Sequence, residues 1–357
     1  MIDIIAEAGV NHNGSVELAA QLIDAAAAAG ADFVKFQTFH GDLVATSSSR
    51  KTFYQEAQTG SAESQAEMLK RLELDAESHH LLRDHAEKRG IRFLSTPFDA
   101  QSIELLVSLG LETLKISSGD VTNGPHLLQL ARSGCSLIFS TGMSTLDEVR
   151  AALKVMAYGL LNPTGNPSVQ SLEKAFEDPE GQRLLRQKVT LLHCTTDYPA
   201  PLNEVNLLAM DLMREQFGLR VGYSDHTAGI ATAVAAAARG AVIIEKHLTL
   251  DRNLPGPDHR ASLEPGELKE MVAAIRGVEA ALGEKIKISH SSEDRNRPIV
   301  RRSLVAASRI EPGEVFTEQN VAIKRPEAGI SPMKYWELLG RKASRRYEAE
   351  DLIEEVL

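Results

Sequence analysis

Cysteine is nearly absent: Cys135 and Cys194 are the only two in 357 residues. Two thiols cannot build a disulfide framework or a four-thiolate zinc site, and their scarcity fits a reducing compartment, so the expected location is the cytoplasm. A basic excess is also missing. Lys and Arg number 39 against 49 Asp and Glu, a formal charge of −10, the wrong sign for a general binder of nucleic acid or anionic membranes. An anionic substrate would therefore need a local cluster of cations. No apolar run approaches the roughly 18 residues of a membrane span. The first residues, MIDIIAEAGVNHNG, meet acids at positions 3 and 7, so a signal peptide is not expected. Low-complexity tracts and long tandem repeats are lacking too. With 43% hydrophobic and 25% charged residues, the chain has the composition of an ordinary globular protein.

What is present up to about residue 285 is an alternation. Short apolar runs at 2–8, 32–37, 91–96, 112–117, 136–141, 189–194, 219–224 and 241–247 are separated by stretches with helical spacing at 16–29, 76–89, 101–109, 146–156, 205–217, 230–239 and 265–282. Eight strands interleaved with helices predict an α/β fold, the TIM (β/α)₈ barrel. The competing doubly wound sheet lacks its Gly-rich fingerprint after the first strand. Segments 54–71 and 161–187 read as insertions in the second and fifth loop regions. Residues 285–298 (KIKISHSSEDRNRP) are polar and aperiodic, a linker. It separates a barrel domain at 1–284 from a small domain at 299–357, with strand-like 303–307 and 321–324, a short helix at 332–339 and a tail at 345–357. Roughly 60 residues are marginal alone, so docking is expected.

In a parallel barrel the C-terminal strand ends build the active site. Here those ends carry Glu7, Lys35 and Gln37, Ser95 and Thr96, Lys115 with Ser117 and Ser118, Ser140 and Thr141, His193 with Thr195 and Thr196, Ser224 and His226, and Glu245 with His247. Strand alternation puts Lys35 and Gln37 on one face, and Glu245 and His247 likewise. Inward lysines are costly unless an anion or carboxylate compensates them. Lys35 and Lys115 among hydroxyls suit a phosphate plus a carboxylate; the plainer alternative is structural ion pairing with Glu7 or Glu245. His226 and His247, at the ends of neighbouring strands, could converge on a divalent metal. His79, His80, His85, His126 and His290 lie on helices, in a loop or in the linker and read as solvated.

The strings IAEAGVNHNG (5–14), FVKFQT (33–38), FLSTPFD (93–99), LKISSGD (114–120), STGMSTLDEV (140–149), LHCTTDYPAP (192–201), GYSDHTAG (222–229), IEKHLTLD (244–251) and PGPDHRASLEP (255–265) resemble, in order, the sialic acid synthase family, the phosphoenolpyruvate-dependent nonulosonate synthases. RRSLVA (301–306), RIEPGE (309–314) and KRPEAGISP (324–332) resemble its C-terminal antifreeze-like (SAF, β-clip) domain. The resemblance implies a transferase of sialic acid (N-acetylneuraminate) biosynthesis, condensing phosphoenolpyruvate with an N-acylated mannosamine-like aldose to a nine-carbon 2-keto sugar acid and phosphate. It implies His226 and His247 as metal ligands, with Mn²⁺ the usual ion and Mg²⁺ or Co²⁺ the other choices. It makes Lys35, Thr96, Lys115, Ser118, Ser140 and Ser224 contacts to phosphoenolpyruvate and Gln37, Tyr198 and Asp258 contacts to the sugar. Glu7 becomes an acid/base or charge-stabilising group, and His247 joins Glu7 and the two lysines in the catalytic set. It further implies a domain-swapped homodimer in which Arg325 reaches the partner's sugar.

Two departures bear on the sugar. Asp120, a substrate contact by position, stands where sialic acid members often have Glu, and 161–187 looks longer than in compact members. Synthases of legionaminic and pseudaminic acids, acting on 6-deoxy diacetamido sugars, are therefore alternatives. The rivals outside the family are a Schiff-base aldolase using Lys35 or Lys115, a seven- or eight-carbon sugar-acid synthase, and a non-catalytic carbohydrate- or ice-binding protein.

Overall fold

A computed structural model describes residues 1–354, which form two compact units, Met1–Gly283 and the remainder from Glu284. In the first, eight strands run in sequence: β1 (Asp3–Gly9), β2 (Phe33–Thr38), β3 (Arg92–Pro97), β4 (Thr113–Ile116), β5 (Ser136–Ser140), β6 (Val189–His193), β7 (Arg220–Asp225) and β8 (Ile243–His247). Parallel ladders join them in the order β3-β2-β1-β8-β7-β6-β5-β4, and β3 lies beside β4, so the sheet is a nearly closed barrel wrapped by helices. All eight segments expected from apolar runs are strands.

The helices have local reasons to begin and end. Ser15 caps Val16–Ala29 by accepting from Leu18 N, and Gly30 ends it at φ 84°. Asp99 caps Ala100–Ser108 and Thr145 with Glu148 forms a capping box on Leu146–Leu161. The apolar stripes of these helices pack on the outer face of the strands. Inside the barrel a separate layer of Ile5, Phe33, Leu94, Ile138, Leu192 and Ile243 fills the lower half. Because side chains alternate, the inward residues two positions on are Glu7, Lys35, Thr96, Ser140, Cys194 and Glu245. A charged layer thus sits directly on an apolar one.

The insertions are themselves helical. Phe53–Thr59 and Gln65–Leu72 follow β2, the second begun by a Ser64–Glu67 capping box; Val169–Glu177 and Pro179–Lys188 precede β6. Two histidines read as solvated are buried instead. His79 bonds Thr38 Oγ1 at 2.8 Å and Asp75 O, and His126 Nε2 bonds Pro97 O at 3.1 Å.

In the second unit the linker stretch carries single helical turns at Ser291–Asp294 and Arg297–Val300. β9 (Ser303–Ala306) and β10 (Val321–Lys324) pair antiparallel over a core that includes Leu304, Phe316, Leu338 and Tyr347. The expected helix at 332–339 is a 3-10 turn, Pro332–Lys334, then one α-turn, Tyr335–Leu338. Residues 355–357 of the expected tail lie outside the described residues.

Candidate active site

A cavity of about 440 Å³ opens over the charged layer at the C-terminal strand ends. Two glycines shape its wall. At Gly9 (φ 52°) the β1–β2 ladder slips by one residue, a bulge that turns the end of β1; a Cβ there would come within 3.2 Å of Glu7 Oε1. At Gly142, after β5, a Cβ would stand 2.2 Å from Thr196 Oγ1 and 2.9 Å from Ser118 Oγ. Only glycine lets three neighbouring strand ends approach so closely.

The floor is a chain of buried ions. Lys35 Nζ lies 2.8 Å from Glu7 Oε2 and 3.6 Å from Glu245 Oε2, and donates to Thr96 Oγ1 at 3.2 Å. Lys115 Nζ lies 3.9 Å from Glu245 Oε1 and donates to Ser140 Oγ at 2.6 Å and Ile116 O at 3.0 Å. Ser224 Oγ donates to Glu245 Oε1 at 2.8 Å, and Gln37 Nε2 to Glu7 Oε1 at 3.3 Å. The two readings of the inward lysines therefore meet: both have carboxylate partners, and both line the cavity.

Burial and neighbours push the carboxyls apart. Burial raises Glu7 to about 7 in spite of Lys35 beside it. Burial would raise Glu245 too, but Lys115, Lys35 and the Ser224 hydroxyl together hold it at about 2. Burial lifts Asp258 to about 6. At neutral pH Glu245 is thus firmly ionised between the two lysines, while Glu7 lies close to its midpoint and burial draws the Lys115 ammonium down.

At the rim, the His226 and His247 rings lie 5.4 Å apart in edge contact. Burial keeps both neutral, His226 at about 4 and His247 well below its ordinary value. His226 Nδ1 donates to Thr195 O at 2.6 Å, which leaves Nε2 with its lone pair. His247 Nδ1 and Asp258 Oδ1 are buried without hydrogen-bond partners, and Asp258 Oδ2 stands 3.7 Å from His247 Nδ1. Ser224 Oγ lies 3.3 Å from His226 Nε2, and a neutral imidazole there, with the unpartnered His247 Nδ1 beside a carboxylate, fits a divalent cation. Among the described residues no group of three or more His, Cys, Asp or Glu has metal-binding spacing. The Tyr198 ring packs at a tilt against His226, centroids 4.2 Å apart, and against Tyr54 at 4.7 Å.

Glu7, Lys35, Gln37, Thr96, Lys115, Ser118, Ser140, Tyr198, Ser224, His226, His247 and Asp258 all line this one cavity. Asp120 does not; it occupies the 3-10 turn after β4 and accepts from Asn123 Nδ2 at 3.2 Å. Arg325 belongs to the second unit, exposed just past β10. Two residues outside the expected set emerge. Glu245 bridges the two lysines, and its inward position was legible from its alternation with His247. Tyr54 comes from an insertion helix, where no strand pattern marks it.

Comparison with known proteins shows the family of the chain. The NeuB family profile matches residues 22–287 and the SAF domain profile residues 301–354. The chain belongs to the NeuB family. Two relatives named N,N'-diacetyllegionaminic acid synthase are similar along nearly their whole length. The protein from Campylobacter jejuni is 49% identical over 99% of this chain and 98% of its own, and that from Legionella pneumophila 42% over 97% and 91%. The crystal structure of N-acetylneuraminic acid (sialic acid) synthetase from Leptospira borgpetersenii, in complex with citrate, has a TM-score of 0.65 and 32% identity, covering 83% of this chain and 90% of that one. This NeuB-family chain is a synthase of the nonulosonate type, a barrel enzyme with a SAF domain, and its family points to metal dependence.

Proposed function

We propose that the enzyme condenses phosphoenolpyruvate with a 6-deoxy diacetamido mannose-like aldose, giving an N,N'-diacetyllegionaminate-type acid and inorganic phosphate. The observation that carries the reaction is the buried pair Lys35 and Lys115 sharing Glu245 on the cavity floor, under two neutral imidazoles. The choice of sugar rests on the relatives, 49% and 42% identical for legionaminic acid synthases against 32% for the sialic acid synthetase.

Phosphoenolpyruvate brings a carboxylate and a phosphate. Lys35 and Lys115 balance them by charge, and Thr96, Ser118, Ser140 and Ser224 surround them with hydroxyls. His226 and His247 would hold the divalent cation, Mn²⁺ in our reading, which when bound polarises the sugar's aldehyde oxygen as a Lewis acid. Gln37, Tyr198 and Asp258 orient the open-chain sugar over the alkene. The terminal alkene carbon attacks the aldehyde carbon, whose oxygen takes a proton. Water adds to the cationic carbon left behind and gives up its proton, and the tetrahedral adduct expels phosphate to leave the ketone. Glu7, raised to about 7 beside that carbon's expected place, either accepts the water's proton or stabilises the cation.

We further propose that the protein acts in the cytoplasm as a homodimer, with Arg325 of one copy completing the sugar site of the other. Among the described residues no helix is long and apolar enough to cross a membrane.

The test is phosphate release with phosphoenolpyruvate and a panel of sugars. The diacetamido trideoxy sugar should have the highest kcat/KM; if N-acetylmannosamine exceeds it, the enzyme is a sialic acid synthase instead. Chelation should abolish turnover and added Mn²⁺ restore it; full activity in a metal-free preparation would sink the metal assignment.

A further inference from the structure

Behind the two histidines, on the opposite face of the same strands, lies a second buried pair. Asp225 and Lys246 are direct partners in the β7–β8 ladder, one register step beyond Ser224 and Glu245. Alternation sends Ser224 and Glu245 into the cavity and Asp225 and Lys246 outward. Both outward side chains are fully buried, with Lys246 Nζ 2.9 Å from Asp225 Oδ2. Neither lines the cavity.

Most of the pair's remaining bonds converge on one short piece of chain, the exception being Tyr223 Oη, which donates to Asp225 Oδ1 at 3.4 Å. Asp225 Oδ1 accepts from Thr227 N at 2.9 Å and Thr227 Oγ1 at 2.8 Å, and Asp225 Oδ2 accepts from Thr232 Oγ1 at 2.9 Å. Lys246 Nζ donates to Thr227 O. Thr227 is thus held at its amide, hydroxyl and carbonyl, and His226 lies between it and Asp225. On the other strand, Lys246 lies between Glu245 and His247. His226 is tied again through its carbonyl, which accepts from Ala200 N at 2.9 Å, and through Nδ1 to Thr195 O.

Fold stability is a weak explanation for such a pair. Desolvating two charges costs several kcal/mol each, and well-packed apolar replacements are often neutral or stabilising. What apolar side chains cannot do is hold the three polar groups of a neighbouring residue at fixed points. We propose that Asp225 and Lys246 are positioning residues: their ion pair clamps the β7 and β8 ends so that His226 and His247 converge on a divalent cation. The inference rests on the reading of these histidines as cation ligands. Outer groups that orient ligands in this way commonly change metal affinity 10- to 100-fold when removed.

The test measures binding of Mn²⁺ alone to the metal-free full chain, by the free-ion electron paramagnetic resonance signal. Wild type is compared with Asp225→Leu/Lys246→Met, Thr227→Val and His247→Ala. The double variant replaces the ions by apolar groups of similar volume, and Thr227→Val removes one clamp bond while leaving both charges. The double variant leaves the buried amide and carbonyl of Thr227 unpaired and should melt below wild type, yet where folded it should bind Mn²⁺ about 10- to 100-fold more weakly. Thr227→Val should show a smaller loss of the same kind. At saturating Mn²⁺ the KM for phosphoenolpyruvate should stay within about twofold, because Lys35 and Lys115 are untouched. A folded double variant that binds Mn²⁺ as wild type does overturns the clamp. If that variant does not fold, unchanged Mn²⁺ affinity in Thr227→Val overturns it on the same readout. Equal binding by wild type and His247→Ala would show instead that the histidines are not the ligands, and the clamp would fall with that assignment.

Discussion

Lys115 is buried at the cavity floor, its ammonium bonded to Ser140 and the Ile116 carbonyl and, more distantly, paired with Glu245. Lys115→Met should therefore raise the KM for phosphoenolpyruvate at least about tenfold or collapse kcat, since the anion loses its counter-charge. Borohydride with either substrate should leave the wild-type mass unchanged; a trapped imine on Lys35 or Lys115 would make the enzyme an aldolase. His12 offers a different residue-scale check. It is fully buried, and burial, then His79 and His259, hold its imidazole down to about 4 from 6.5. The unfolded chain therefore binds this proton more tightly. The contribution is fully present above about pH 6.5 and falls away as pH drops toward 4, by at most about 3 kcal/mol. Urea midpoints at pH 7 and pH 5 should diverge more for wild type than for His12→Gln; an equal loss in both would show that His12 is not the sensitive group.

At the scale of elements, the close approach at Gly142 fixes how the ends of β4, β5 and β6 meet. Gly142→Ala places a methyl against Thr196, Cys194 and Ser118, an overpacking that should cost about 1–3 kcal/mol. Activity should fall further than thermal stability alone explains, because Ser118 accepts from Gly142 N at 3.0 Å; a variant destabilised but fully active would contradict this. The strands themselves were legible because each is a short apolar run bounded by Gly or polar residues, and the inward set followed from a period of two. Glu245 was visible as an inward side chain and as an ion-pair partner for an inward lysine, but not as the bridge between both, because the two lysines come from β2 and β4 and meet only once the barrel closes. His79 and His126 were misjudged for a related reason. His79 sits on a helix among polar neighbours and His126 at the first turn of a short one, and the groups they bond to, Thr38 and the Pro97 carbonyl, lie far away in sequence. Tyr54 rides on a helix whose start at Thr52 and Gln55 carries no sign of the cavity it faces.

For the whole molecule, the division at Gly283 makes the second unit's part in catalysis a separate question. If Arg325 serves another copy's site, mixing Arg325→Ala with His247→Ala chains should regain activity, since one site of the mixed dimer would be intact. Persistent inactivity after proven subunit exchange, with both parents folded and dimeric, would exclude action in trans. The stacked interior of the barrel has a kinetic consequence as well. The layer of Ile5, Phe33, Leu94, Ile138, Leu192 and Ile243 seals the shaft from below, so molecules enter and leave a blind well from its open end. Whatever rests on the lysines must go in first and is covered by whatever follows. A non-reacting sugar analogue should therefore be an uncompetitive inhibitor against phosphoenolpyruvate, because it gains its seat only after the floor is taken. A competitive pattern would mean that the two substrates do not lie one above the other.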